Sequence, residues 1–157
     1  MLLLEMFQAG LSWRTIIIKR ENFRQAFANF DYRKVALFDE KKIEQLMQDE
    51  GIIRNRQKIT AAVNNAQSFM QIQEKYGSFD QYIWHFSDGK VIDHKIKKAT
   101  DAPSQDELSR TVASDLKKER FNFVGPVEIY SFLQAIGVIN DHEVSCAFYH
   151  PNATNDN

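Results

Sequence analysis

The sequence predicts an all-α protein. Apolar residues recur at helical spacing over almost the whole chain, as in Ile43, Leu46 and Met47, or Ile59, Ala62, Val63, Ala66 and Met70. Helix starts and stops separate these stripes, at Ser12, Asp31, Asp39, Gly51, Gly77, Ser78 and Gly137. No stretch reads as a convincing strand, and there is neither an internal repeat nor a low-complexity segment. The chain has 157 residues, 43% of them hydrophobic, enough for one sizeable core and too few for two ordinary ones. A single helical domain over residues 1–157 is expected.

Taken in order, Met1 to Ala9 reads as a short apolar helix carrying one acid, Glu5. Gly10 can adopt the left-handed conformation that closes it, and Ser12 can cap the next helix, which leaves Leu11 at an exposed corner. Ile16, Phe23 and Phe27 share one face of a second helix that runs from about Trp13 to Phe30 and Asp31. Asp31 and Asp39 are N-caps, and the helix opened by Asp39 ends at Asp49-Glu50-Gly51. The long helix after it carries the Ile59 to Met70 stripe and is closed by Gly77. Ser78 caps a short helix with Phe79, Tyr82, Ile83 and Phe86. Residues 87–103 read as the one long loop, with a turn at Asp88-Gly89. Ser104 and Glu107 form a capping box for a helix bearing Leu108, Val112 and Leu116, with Lys117, Lys118 and Arg120 at its C-terminal end. Gly125-Pro126 opens a helix with Ile129, Phe132, Leu133 and Ile136 inward. Asn140-Asp141 is expected to cap a last short helix through Phe148, and Pro151 onward is a polar tail.

Charge and cysteine content narrow the function classes. A formal net charge of −1 gives no global positive field toward a polyanion, so any nucleic-acid site must be a local patch. One cysteine, Cys146, excludes an intramolecular disulfide and suits a reducing compartment. No apolar run is long enough to cross a membrane. A soluble, cytoplasmic, monomeric protein is expected.

Three places in the sequence can carry chemistry. Glu5, flanked by Leu2, Leu3, Leu4, Met6 and Phe7, is either on the polar side of its helix or aimed into a pocket, with Trp13 just beyond the Gly10 break. Gly51-Ile52-Ile53, followed by Arg54, Arg56 and Lys58, is either an ordinary αα-corner or an apolar hairpin whose outward N–H groups bind phosphate beside arginines, the physics of a helix-hairpin-helix DNA anchor. His142 and Cys146, four apart, are either packed residues or two ligands of one metal; a structural zinc site needs four.

Glu5 with Gln8-Ala9-Gly10-Leu11-Ser12-Trp13, then Gly51-Ile52-Ile53-Arg54 with Arg56 and Lys58, then Phe123-Val124-Gly125, Tyr130-Ser131-Phe132 and Asn140-Asp141-His142 with Cys146, together resemble the 3-methyladenine DNA glycosylase I family over nearly the whole chain. The resemblance implies a helix-hairpin-helix DNA-repair glycosylase that flips an alkylated adenine out of double-stranded DNA, hydrolyses its N-glycosidic bond and releases free 3-methyladenine. It implies that Glu5 is the pocket glutamate and Trp13 a pocket aromatic, with Ser131 along the same pocket. Gly10 and Leu11 correspond to the loop that wedges into the base stack. Gly51, Ile52, Ile53, Arg54, Arg56 and Lys58 correspond to the DNA anchor. His142 and Cys146 correspond to half of a four-ligand zinc site.

Family members carry, ahead of the pocket glutamate, a segment with the other two zinc ligands and further pocket aromatics. The chain is therefore expected to be N-terminally truncated, with impaired activity. Two other readings of the sequence are a non-catalytic helix-hairpin-helix DNA-binding module and a glycosylase in which Asp141 is the carboxylate near the sugar.

Overall fold

A computed structural model describes residues 1–150; the polar tail expected from Pro151 lies outside the described residues. Its helices are α1 (Leu2–Gln8), α2 (Trp13–Ala26), α3 (Tyr32–Val35), α4 (Glu40–Gln48), α5 (Arg56–Tyr76), α6 (Phe79–His85), α7 (Glu107–Lys118) and α8 (Pro126–Ala135). The expected caps at Ser12, Asp31, Asp39 and Ser78 each accept a backbone N–H two or three residues on. Gly10 has φ +79 and turns the chain between α1 and α2, while Gly77, at φ +84, ends α5.

The structure departs from the sequence expectations in five places. Helix α2 stops at Ala26, because Ala28, Asn29 and Phe30 all have positive φ and reverse the chain before α3. The capping box of α7 is formed by Asp106 and Ser109 rather than Ser104 and Glu107. Asp106 Oδ1 accepts the Ser109 N–H at 2.6 Å, and Ser109 Oγ accepts the Asp106 N–H at 2.9 Å. Residues 87–103 are not all loop, since Ile92–Asp93 (β1) pairs in parallel with Ile139–Asn140 (β2). Among the described residues no helix follows Asn140: Asp141 is drawn inward by side-chain partners, and residues 141–150 form turns and extended chain. Ile136, expected inward, is exposed, as the first residue beyond α8.

Helix α5, 21 residues and about 30 Å long, is the spine. Its first half contributes Ile59, Ala62 and Ala66 to a core shared with α1, α2, α3 and α4. From its second half, Ile72 joins a second core with α6, α7, α8 and β2. Short and almost wholly apolar, α1 lies between them, packing on α2, α5 and α8.

Lys58 secures α1. The resemblance placed it on the DNA face, but it is 7% exposed, and its Nζ donates to the carbonyls of Phe7 at 3.0 Å and Ala9 at 2.6 Å. These are orphan carbonyls at the C-terminal end of α1, and a buried cation serves them because it meets both the dipole and the unpaired acceptors. Burial pushes the Lys58 pKa down. Lys58→Met is therefore expected to lower stability by about 2 kcal/mol, the cost of losing hydrogen bonds from a charged donor. Thermal unfolding should register this loss.

Candidate functional site

Glu5, Trp13 and Ser131 converge. With Gln8, Gln134 and Ala135 they line an open cleft of about 460 Å³ between α1, the start of α2 and α8. Helix α1 presents Glu5 there because Leu4, Met6 and Phe7 face the first core and hold the helix against α8. Trp13 is the first residue of α2, fixed by the Ser12 cap, and remains 37% exposed. Ser131 and Gln134 are three apart on α8 and so share a face.

Glu5 is only 5% exposed, yet its carboxylate has no hydrogen-bond donor among the described residues. Among the described residues no side-chain oxygen is both fully buried and unpaired, so the carboxylate of this cleft-lining residue is accessible. Burial raises its pKa; the Met1 amino group works in the opposite direction and Glu128 adds to the rise. An unpartnered carboxylate in an apolar wall is costly to folding and is available to an incoming donor or cation.

Beside the cleft, Leu11 sits at the corner between α1 and α2, 37% exposed. The corner is tied by the Leu11 N–H to the Gln8 carbonyl at 2.7 Å and by Gln8 Nε2 to the Leu11 carbonyl at 2.9 Å. The turn is thus braced while the leucine side chain projects.

The hairpin between α4 and α5 is fastened to α2. Lys19 Nζ donates to the carbonyls of Glu50 at 2.9 Å and Gly51 at 3.3 Å, and Asn22 Nδ2 donates to Gly51 at 3.1 Å. A Cβ on Gly51 would meet Asp49 Oδ1 at 2.9 Å and Asn22 at 3.1 Å, so any larger residue would have to push these neighbours aside. Ile52 is buried in the first core and Ile53 packs against it. The N–H groups of Ile53 and Arg54 have no acceptor among the described residues. Arg54 makes only a loose contact with Glu50, at 3.9 Å. Arg56 is engaged by both Glu40 and Glu44 on α4, which leaves it less free for phosphate than its place in the sequence suggests.

His142 and Cys146 lie together without a helix, Nδ1 to Sγ 3.7 Å. That separation suits two ligands of one tetrahedral zinc, whose bond lengths place such atoms about 3.6 Å apart. Among the described residues no group of three His, Cys, Asp or Glu converges on a metal position. His150 is exposed, and only its backbone carbonyl approaches this region, at 3.5 Å from Asn140 Nδ2.

Asp141 does not line the cleft. Its side chain, 5% exposed, accepts from Gln134 Nε2 at 2.6 Å and from the Tyr130 hydroxyl, with His94 Nδ1 at 2.7 Å. A carboxylate so occupied is a poor candidate for chemistry at the sugar. Sequence reasoning passed over Gln134, although its place one turn after Ser131 was a usable signal. It also passed over the partners of Asp141: Tyr130, which meets it where β2 packs on α8, and His94, which arrives only through the β1–β2 pairing.

The sequence pattern of the methyladenine glycosylase family matches residues 1–150. DNA-3-methyladenine glycosylase 1 of Escherichia coli (strain K12) is 41% identical over 152 residues, covering 97% of this chain and 81% of the relative. The solved structure of 3-methyladenine DNA glycosylase I (TAG) from Staphylococcus aureus superposes with a TM-score of 0.91 at 38% identity, over 96% of this chain and 81% of that one. A variant of 3-methyladenine DNA glycosylase I (TAG) in complex with 3-methyladenine gives 0.90 at 38% identity, over 93% of this chain and 78% of that one.

The raised pKa of Glu5 has a sign that thermal unfolding can test. The folded chain binds this proton more tightly than the unfolded chain, so stability falls as pH rises from the ordinary carboxyl range through the folded value, and the full penalty stands above it. Glu5→Gln removes the charge. The variant is expected to melt a few degrees higher than the parent at neutral pH, with the difference closing in acid where both side chains are neutral.

Proposed function

The chain belongs to the methyladenine glycosylase family, and we propose that it acts as a base-excision DNA repair glycosylase, hydrolysing the N-glycosidic bond of 3-methyladenine in alkylated duplex DNA. The observation that carries this reading is the unpartnered Glu5 carboxylate in the same cleft as Trp13. A 3-methylated adenine in DNA is cationic, so an indole face attracts it by stacking and cation–π terms, and base–aromatic stacking contributes about 1–3 kcal/mol. The carboxylate accepts a hydrogen bond from the base edge and favours the charged base over neutral adenine. Bond cleavage sends the electron pair to the base, which leaves neutral, while water adds to the sugar carbon and loses a proton. Positive charge thus moves from base to sugar, and Glu5, at the base edge, serves recognition more than transition-state stabilisation.

The duplex is held by two features that share α2. Leu11 wedges into the stack vacated by the flipped base, with Gly10 shaping the turn. The Gly51 hairpin offers the N–H groups of Ile53 and Arg54 and the Arg54 guanidinium to a backbone phosphate, the helix-hairpin-helix mode. The rise of α2 separates Ser12 from Lys19 and Asn22 by roughly 10–15 Å, so one rigid helix sets wedge and anchor on the same stretch of DNA.

His142 and Cys146 are the residues that would hold zinc, with a structural role and no step of base release passing through it. Two ligands are half a site, so the purified chain is expected to bind less than one zinc per chain by elemental analysis. One tightly held zinc would require further ligands than this pair.

Measuring 3-methyladenine release from an alkylated duplex tests the reading. The parent chain is expected to release the base. Glu5→Gln should cut its preference for 3-methyladenine over adenine by about 10–100-fold, the equivalent of one charge-assisted hydrogen bond. Arg54→Ala should weaken binding to damaged and undamaged duplexes alike and reduce the salt slope by about one unit. A chain that binds duplex DNA and releases no base would be a binding module instead.

A further inference from the structure

Gln134 is fixed in orientation by what lies behind it. Its Nε2 donates to Asp141 Oδ2 at 2.6 Å; the Tyr130 hydroxyl donates to the same oxygen, and His94 Nδ1 lies 2.7 Å from the other. A carboxylate accepts hydrogen bonds and does not donate them, so only the NH₂ half of the Gln134 amide can face it. The carbonyl half must therefore turn away. Gln134 lines the cleft with Glu5, Trp13 and Ser131, and its Oε1 has no donor among the described residues. Among the described residues no side-chain oxygen is both fully buried and unpaired, so Oε1 of this cleft-lining residue is accessible. Besides Glu5, α8 thus contributes a polar acceptor of fixed orientation to the cleft.

We propose, on the reading of this cleft as a 3-methyladenine pocket, that Gln134 is a specificity-determining residue whose Oε1 accepts a hydrogen bond from the exocyclic amino group of the base. Asp141 is the positioning residue that keeps this acceptor turned outward. An adenine-type base presents an amino donor where a guanine- or hypoxanthine-type base presents an oxygen. Against a fixed Oε1 the donor is satisfied, whereas an oxygen would face another oxygen with nothing between them. The His94, Tyr130 and Asp141 cluster blocks the amide flip that would reverse this preference, because a flipped Gln134 would point its own oxygen at the carboxylate.

Titrating the full chain with 3-methyladenine and with 3-methylhypoxanthine, followed by Trp13 fluorescence or calorimetry, tests this. The parent is expected to prefer the amino base. Gln134→Met keeps the side-chain length and removes the acceptor; it should lower affinity for 3-methyladenine on the order of tenfold while leaving 3-methylhypoxanthine unweakened, so the ratio narrows. Asp141→Asn offers Gln134 a donor as well as an acceptor, permits the flip and should narrow the ratio too. Combined with Gln134→Met it should add nothing further, because Asp141 acts through Gln134. A merely structural loss would weaken both bases together. In the unsubstituted chain, the carbon-13 resonance of the Gln134 carboxamide should shift as 3-methyladenine saturates the site. A ratio unchanged in Gln134→Met, or a carboxamide resonance that does not move at saturation, overturns the inference while leaving the pocket reading intact. A parent chain that binds neither base overturns both.

Discussion

Holding the Glu5 carboxylate in an apolar wall without a protein donor is the constraint that the rest of the structure answers to. Left to itself, a seven-residue helix as apolar as α1 would be marginal in water and would turn its acid to solvent. Here three devices keep the acid turned to the cleft. Leu4, Met6 and Phe7 anchor α1 in the first core, α8 closes over its other side, and Lys58 ties down its last carbonyls. Each is a folding interaction, and together they impose the unfavourable placement of one charge. The site is destabilising by design of its chemistry, since a carboxylate already satisfied by the protein would have nothing to offer a base.

Most of the helical scaffold was legible in the sequence because its signals are local. N-caps at Ser12, Asp31, Asp39 and Ser78 act within three residues, and the apolar stripes of α4 and α5 report burial directly. What was not legible depends on distant partners. Asp141 looked like a helix cap, but β2 folds back on α8 to bring it to Tyr130 and Gln134, and the pairing of β2 with a strand some 47 residues earlier brings in His94. Lys58 looked like a phosphate ligand beside two arginines, and only the arrival of α1 over the start of α5 makes it a helix C-cap. Glu5, Trp13 and Ser131 were identified through motif resemblance, whereas periodicity left Glu5 undecided between surface and pocket. Gln134 escaped because its role comes from a carboxylate that local patterning could not place behind it.

Helix α2 links the two features proposed to hold DNA. Its first turn carries Trp13 directly after the Leu11 corner, and its second and third turns hold the hairpin through Lys19 and Asn22. The absence of a Cβ at Gly51 lets the hairpin backbone come against Asn22, so that the proposed anchor and the proposed wedge are tied to one helix. Arg56, by contrast, is spent on the carboxylates of α4, where it braces the two helices flanking the hairpin. Of the basic residues in this stretch, Arg54 is the one whose loose contact leaves it turned to solvent.

The cleft has walls from both cores, with Glu5 and Trp13 on elements of the first and Ser131 and Gln134 on a helix of the second. An apolar pocket of about 370 Å³, lined by Tyr32, Ala62, Phe79 and Phe132 among others, likewise has residues of both cores in its walls. A base seated in the cleft would therefore touch both cores at once. Mass action makes this quantitative: a ligand at one hundred times its dissociation constant adds about 2.7 kcal/mol to the folded state. That gain belongs only to the state in which both walls are in place, so occupancy would favour unfolding of the two cores as one unit.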